Sequence, residues 1–396
     1  MIDPAALRTC IHSYTEKVLT IRRHLHQHPE LSFEEHKTSA FIAEQLKQAG
    51  ISFTTGWVKT GIVVEIKPDG YTGNRWLALR ADIDALAISE KNNVSYKSVN
   101  DGVMHACGHD VHTSVMLGAC LVLHELRNNL STGVRVIFQP GEEKLPGGAS
   151  LMIKEGALGK PLPEVILGLH VFPEMEVGNV GFRPGMYMAS TDEIYITIKG
   201  KGGHAAMRNQ YNNPLLVASA VLLELEKKFM NESTRVEKEI PTVLAFGKIQ
   251  GMGATNVIPD EVKLEGTFRT FDEKWRAKAH ELITSTVNDV ATSMKAGADT
   301  QIARGYPFLV NDEKTTTSVR KRTEELLGKE KVHDLELRMT AEDFAYYTQL
   351  MPACFFRLGT GNKQKGITSP VHTATFDIDE DALKTGMEVI TWYCLQ

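Results

Sequence analysis

Cysteine is sparse in this chain of 396 residues, with five scattered residues, Cys10, Cys107, Cys120, Cys354 and Cys394. An odd, unclustered set gives no disulfide framework and suits a reducing compartment, so a cytoplasmic location is expected. Long hydrophobic runs are missing: nothing approaches the ~20 apolar residues that span a bilayer. The first residues, Met1-Ile2-Asp3-Pro4-Ala5, also lack the basic-then-apolar pattern of a signal peptide. Basic excess is absent, and a net charge of −5 supports neither a nucleic-acid nor an anionic-membrane partner. There is no internal repeat or low-complexity tract. What remains is the composition of a soluble globular protein, too long for one ordinary core, so two domains are expected.

The hydrophobic pattern alternates strands with helices through the first half of the chain. Asp3-Pro4 has the form of a helix cap with proline at the first helical position, opening a helix towards Leu25 that ends at His28-Pro29. A second helix is expected over Phe33–Ala49, then β-rich runs at Phe53–Trp57, Ile62–Ile66 and Trp76–Leu79. A helical spacing covers Val111–Leu126, and Val134–Phe138 and Val165–His170 are apolar enough for strands buried on both faces. This order predicts an α/β domain with a mainly parallel sheet, whose ligands gather beyond the carboxyl ends of the strands. Asp82, Glu142, Glu143 and His170 are expected at such ends.

The texture changes near residue 185. Strand Asp192–Lys199, helix Pro214–Phe229, strands Val243–Ile249 and Val262–Thr270, helix Glu273–Met294 and strand Thr300–Arg304 follow the split β-α-β, ferredoxin-like order. The α/β pattern then resumes with helices Thr315–Leu327, Ala341–Leu350 and Glu380–Tyr393 and strand Cys354–Leu358. The expected organisation is a catalytic domain from residues 1–185 and 305–396, with an α+β domain inserted at 186–304.

Chemistry concentrates in Met104-His105-Ala106-Cys107-Gly108-His109-Asp110-Val111-His112. A cysteine and a histidine two residues apart are first-row metal ligands, and Gly108 lets the backbone turn both towards one point. Alone, such a pair is more often a buried thiol beside a helix start. Here Glu142-Glu143, His170 and His372 follow, each in a loop or at an expected strand end. Cys107, His109, Glu143, His170 and His372 make five candidate ligands, more than one tetrahedral site needs, so two metals sharing a bridging group are expected. Glu142 and Glu143 can divide their roles, one binding metal and the other carrying a proton between a water and a leaving amine.

His105–Asp110, Gln139–Glu143, Gly168–Val171, Gly200–Ala206, Asn256–Asp260 and Pro370–Thr373, in this order, resemble the amidohydrolase branch of the aminoacylase and carboxypeptidase G metallopeptidases. That branch includes hippurate hydrolase, indole-acetyl-amino-acid hydrolases and N-acetyldiaminopimelate deacetylases. Arg22–Leu31 is similar to its opening signature, and the resemblance covers nearly the whole chain. It implies a di-metal hydrolase domain with an inserted lid or dimerisation domain, and metal ligation by Cys107, His109, Glu143, His170 and His372, with Cys107 as the bridge. It further implies Glu142 as general base and acid, His204 as the group that steadies the oxyanion, and Asn256 and Arg269 on the substrate carboxylate. Other members carry a ligand histidine where this chain has Arg80, which leaves Asp82 a supporting role at most. The chain also departs from the branch at Met207–Tyr211, next to the expected substrate pocket.

The expected enzyme is a cytoplasmic amidohydrolase with two divalent ions (zinc, manganese, cobalt or nickel) that cleaves N-acyl amino acids, assembling as a homodimer or homotetramer through the inserted domain. A dipeptidase or carboxypeptidase would share the site and differ in its acyl pocket. A non-catalytic binding protein on the same scaffold would be expected to have lost Glu142 or a ligand, and none is lost.

Overall fold

The computed structural model describes residues 2–235 and 240–396. The chain divides into two compact units, Met1–Tyr187 with Val310–Leu337 and Asp343–Gln396, and Met188–Leu309 with Arg338–Glu342. No helix among the described residues is long and apolar enough to cross a membrane.

The first unit is built on an eight-stranded sheet, ordered Phe53–Trp57, Gly61–Ile66, Gly133–Gln139, Trp76–Asp82, Val165–Glu176, Ala353–Gly361, Val180–Phe182 and Val332–Asp334. The four strands from Gly133–Gln139 to Ala353–Gly361 run parallel to one another, and antiparallel pairings lie towards both edges. Every residue of Gly133–Gln139 and of Ala353–Gly361 is buried, as strands covered on both faces must be.

Helix His109–Glu125 packs on this sheet between helices Pro4–Gln27 and Ala382–Cys394, and is buried from His109 through Leu123. Gly118 permits the close approach, since a Cβ there would lie 2.3 Å from Met387 Sδ and 2.8 Å from Val18 Cγ2. Asp3 caps the first helix by accepting the Ala5 N–H, with Pro4 at the first helical position.

Two expectations need correction, and two short strands escaped the hydrophobic pattern. His170 is not at the end of its strand, which runs on to Glu176. Pro173 hid that continuation, and it sits beside the register shift between Gly359 and Gly361 of the neighbouring strand, where a missing N–H is tolerated. His170 is still level with Asp82, two residues beyond the pair Arg80 and Gly168. The helix expected at Ala341–Leu350 shrinks to Ala345–Thr348, because the Asp343 carboxylate is drawn into a buried network. Strands Val180–Phe182 and Val332–Asp334 are too short to show a period.

The second unit is ferredoxin-like. Its antiparallel sheet has the order Val243–Gln250, Glu261–Arg269, Asp192–Lys199, Gly297–Arg304. Ile194, Ile196, Ile198, Val262, Leu264 and Phe268 pack beneath helices Pro214–Arg235 and Glu273–Ser293.

Asp192, fully buried, accepts from Arg276 Nε (2.9 Å) and Nη2, from His280 Nε2 (2.7 Å) and from the Gly305 N–H (3.1 Å). Burial alone would raise its carboxyl, but Arg276 and His280 hold it down to about 2. A depressed acid contributes stability above its unfolded pKa of about 4 and loses it as pH falls towards the folded value, here about 2–3 kcal/mol between pH ~4 and ~2. Asp192→Asn should flatten that acid limb and destabilise the unit by about 3–5 kcal/mol at neutral pH, because Arg276 keeps its burial and loses its charge partner. Hydrogen exchange along strand Asp192–Lys199 across pH reads both effects, and an unchanged acid limb would contradict the assignment.

Candidate metal centre

The centre belongs to the first unit and is assembled from the turn into helix His109–Glu125, the loops that carry Glu142-Glu143 and His372, and the interior of strand Val165–Glu176. Gly108, at φ +83°, turns the chain between Cys107 and the helix that begins at His109. Only glycine fits, since a Cβ would lie 2.5 Å from Val171 Cγ2. His372 adopts φ 62°, rare for a residue with a side chain, and its N–H is tied to Ala106 O at 2.7 Å. Strain of this kind costs about 1–3 kcal/mol and collects at functional sites.

All five predicted donors come together. Cys107 Sγ lies 3.3 Å from His170 Nε2 and 3.2 Å from His372 Nε2, and His372 Nε2 lies 3.3 Å from Glu143 Oε1. His109 Nε2 is 3.9 Å from Glu143 Oε1 and 4.0 Å from Glu142 Oε2. Two ligand triads result, Cys107–His109–His170 and Cys107–Glu143–His372, and the sulfur is common to both. Glu142 is buried alongside them.

The ring nitrogens are sorted by their neighbours. His170 Nδ1 donates to Val171 O (2.8 Å), which turns the Nε2 lone pair towards Cys107. His109 Nδ1 bonds Asp84 Oδ1 (3.2 Å), and its buried Nε2 has no hydrogen-bond partner among the described residues. An imidazole oriented by a carboxylate or carbonyl on one nitrogen, with the other turned inward, is the usual arrangement of a metal-binding histidine. His112 differs: Nδ1 bonds Asp82 Oδ1 (2.6 Å) and Nε2 accepts the Val171 N–H (2.9 Å), so no donor atom remains.

The charges around these groups are those of an anion-rich pocket. Burial, with Arg357 and His112 nearby, holds His170 well below the usual histidine range and keeps it neutral. Burial works against charge on His109, yet Asp82, Asp84 and Glu143 raise it to about 10. Burial and the carboxylates of Glu143, Glu142 and Asp82 push the Cys107 thiol well up. A pocket so dense in anionic groups, offering one sulfur, three imidazole nitrogens and a carboxylate, suits divalent metal ions, which Cys107, His109, Glu143, His170 and His372 would hold.

Sequence reasoning excluded Arg80 as a ligand, and the structure gives it another task. Buried Arg80 bonds Gln139 Oε1 (3.0 Å), Asp82 Oδ2 (2.7 Å) and Asp343 Oδ1 (2.6 Å), so Asp82 is held between Arg80 and His112. Asp84 was missed. It orients His109, and its Oδ2 accepts both the Glu143 N–H (3.0 Å) and the Ser32 hydroxyl (2.6 Å). The signal available was its spacing, two residues past Asp82 at a strand end.

Three predicted residues belong to the second unit. His204 is exposed in the two-residue strand Gly203–His204, opposite Val257. Its Nδ1 accepts the Ala206 N–H (3.2 Å), which leaves the ring proton of the neutral form on Nε2. Asn256 is exposed, one residue before Val257, and its carbonyl accepts the Ala205 N–H (2.9 Å). Arg269, half-buried, donates to Met339 O (2.8 Å) and has no carboxylate partner among the described residues. Asp272, a candidate surface partner for it, instead caps helix Glu273–Ser293 through the Trp275 N–H.

Residues 78–396 match the model of peptidase family M20/M25/M40. The chain belongs to that family. It is 38% identical over 368 residues to an N-acetyl-L-cysteine deacetylase of Bacillus subtilis, covering 93% of this chain and 85% of the relative. It is 33% identical over 384 residues to a thermostable carboxypeptidase of Saccharolobus solfataricus, covering 96% and 95%. A solved dinuclear metal-binding peptidase of the M20 family from Bacillus subtilis superimposes with a TM-score of 0.83 at 31% identity, covering 97% of this chain and 98% of the other. This M20 chain is therefore a metal-dependent hydrolase of the amidohydrolase kind.

Because both triads use its sulfur, Cys107→Ala should lower metal content by more than half, whereas Cys354→Ala, in the buried sheet, should leave it unchanged. Equal metal content in the two variants would remove Cys107 from the centre.

Proposed function

We propose that the protein hydrolyses N-acyl L-amino acids, with acetyl or aroyl acyl groups, to a carboxylate and a free amino acid. The observation that carries this reading is the pair of triads sharing Cys107 with the buried Glu142 carboxylate beside them. Cys107, His109, Glu143, His170 and His372 would hold two divalent ions of zinc, manganese, cobalt or nickel type. Such ions, when bound, polarise an amide carbonyl and make water nucleophilic at neutral pH. Glu142 takes the proton of the attacking water and delivers it to the leaving amine. His204, with its proton on Nε2, donates to the oxyanion of the tetrahedral intermediate.

Asn256 and Arg269 recognise the α-carboxylate. A half-buried guanidinium with no acidic partner among the described residues is poised for an incoming anion, and burial lowers its pKa from the usual arginine value. A charge-assisted contact of this kind contributes roughly 1.5–3 kcal/mol, or about 10- to 100-fold in kcat/KM. N-acyl amino acids should be cleaved at least about tenfold better than their carboxamides, and Arg269→Ala should erase most of that preference. Equal rates on acid and amide by the wild type would overturn the amino-acid part of the proposal. Rapid cleavage of dipeptides with poor cleavage of N-acetyl substrates would favour a dipeptidase or carboxypeptidase.

Assembly through the second unit is part of the same reading, as a cytoplasmic homodimer or homotetramer. Helix Pro214–Arg235 exposes Leu216, Leu223 and Met230 at seven-residue spacing, an apolar stripe suited to a second copy.

A further inference from the structure

The loop Gly141-Glu142-Glu143 carries both the proton carrier and a ligand, and its backbone is held from one side by the short segment Ser32–Glu35. Glu35 is fully buried, yet no cation accompanies it in any ion pair among the described residues. Its Oε1 accepts the N–H of Gly141 (2.9 Å) and of Phe33 (2.8 Å), and its Oε2 meets the Thr60 hydroxyl at 2.7 Å. The Phe33 ring lies against Gly141, where a Cβ would come within 2.4 Å of it. Phe33 itself sits at φ 67° and Gly141 at φ +62°, so both backbones are bent to make this contact. Ser32 supports the same loop indirectly: its hydroxyl bonds Asp84 Oδ2, which also accepts the Glu143 N–H. On the far side, Gly141 O accepts the Gly148 N–H at 3.0 Å.

A buried carboxylate without a counter-charge is costly, and a neutral amide could accept the same N–H groups more cheaply. Its two-pronged reach explains its presence. One oxygen fixes two N–H groups of separate segments, and the other oxygen, held by Thr60, stops the side chain from rotating. We infer that Glu35 is a positioning residue, which sets the placement of Glu142 and Glu143 by locking the Gly141 peptide between Phe33 and Thr60. Nothing in the sequence marks it, since Glu34-Glu35 at the start of a helix has the look of a solvated acidic turn. The inference rests on Glu142 and Glu143 having the roles proposed above.

Glu35→Met keeps the volume and removes both acceptors. It should lower kcat by about 10- to 100-fold, the usual cost of misplacing a reacting group by about 1 Å, with KM little changed. Metal should be lost to a competing chelator faster than from the wild type, because Glu143 moves with the loop. Amide exchange should rise across residues 140–143 while helix His109–Glu125 keeps its protection. Glu35→Gln, which retains the oxygen facing Gly141, should restore most of kcat. A merely structural Glu35 would lower thermal stability in both variants without changing kcat, exchange in the loop or metal retention, and that result would overturn the inference. If Glu35→Met fails to fold, Thr60→Val decides: it should show a smaller kcat loss with faster loop exchange, and wild-type values for both would equally overturn it. A wild-type protein inactive on every N-acyl amino acid would sink the proposed function instead, and loop exchange and metal retention would then judge the clamp alone.

Discussion

Glu142→Ala should lower turnover on an N-acyl amino acid by about 10²-fold or more, with metal content close to that of the wild type. The carboxylate is buried next to His109 and Glu143, close enough to form a donor group with them, but lies outside the two triads that share Cys107. Its removal therefore takes away a proton acceptor and leaves the shared sulfur, Glu143 and three imidazoles in place. Glu142→Gln, which matches the shape but cannot take a proton, should be about as inactive. Turnover within a few-fold of the wild type in either variant, or metal loss equal to that of Cys107→Ala, would move Glu142 out of the proton-carrying role.

His204→Ala should cost about 10²- to 10³-fold in kcat, the usual effect of deleting one donor to an oxyanion. With Nδ1 accepting the Ala206 N–H, Nε2–H is the donor that the ring can offer to a substrate. An exposed histidine in a two-residue strand has little to contribute to packing. Its loss should leave both metal content and the unfolding midpoint nearly unchanged. A variant with altered stability and normal kcat would make it a structural loop residue. His204→Asn, which keeps an N–H donor, should recover part of the rate.

Much of the centre was legible because its residues sit in short, ordered clusters of metal-ligating type. Cys107-Gly108-His109 states its own geometry: the glycine is obligatory at φ +83° and the two donors flank it. His112, three residues on, has the same chemistry but is consumed by Asp82 and the Val171 N–H, and only coordinates separate it from His109. The parallel strands were readable as continuous apolar runs, because both their faces are buried, and the ferredoxin-like unit from its period of two, because one face of each strand is buried and the other is not. What escaped was long-range and polar. The Asp343 carboxylate reaches Arg80, 263 residues away in sequence, and in doing so unwinds a helix that the local pattern favoured. His26, one of three histidines in Arg22–His28, showed no sign from sequence of its buried bonds to Asp110 (2.8 Å) and Glu90 (3.2 Å). Periodicity reports which face of an element is buried and is silent about which distant charge a buried group will meet.

The most direct test of the account is to strip the protein with a chelator and assay it, before and after adding zinc, manganese, cobalt or nickel, on N-acetyl and N-benzoyl amino acids beside their carboxamides and dipeptides. Activity should disappear on stripping, return with at least one of these ions, and favour the N-acyl amino acids that carry a free α-carboxylate. Undiminished hydrolysis by the stripped protein, or a restored enzyme that cleaves no N-acyl amino acid, would contradict it.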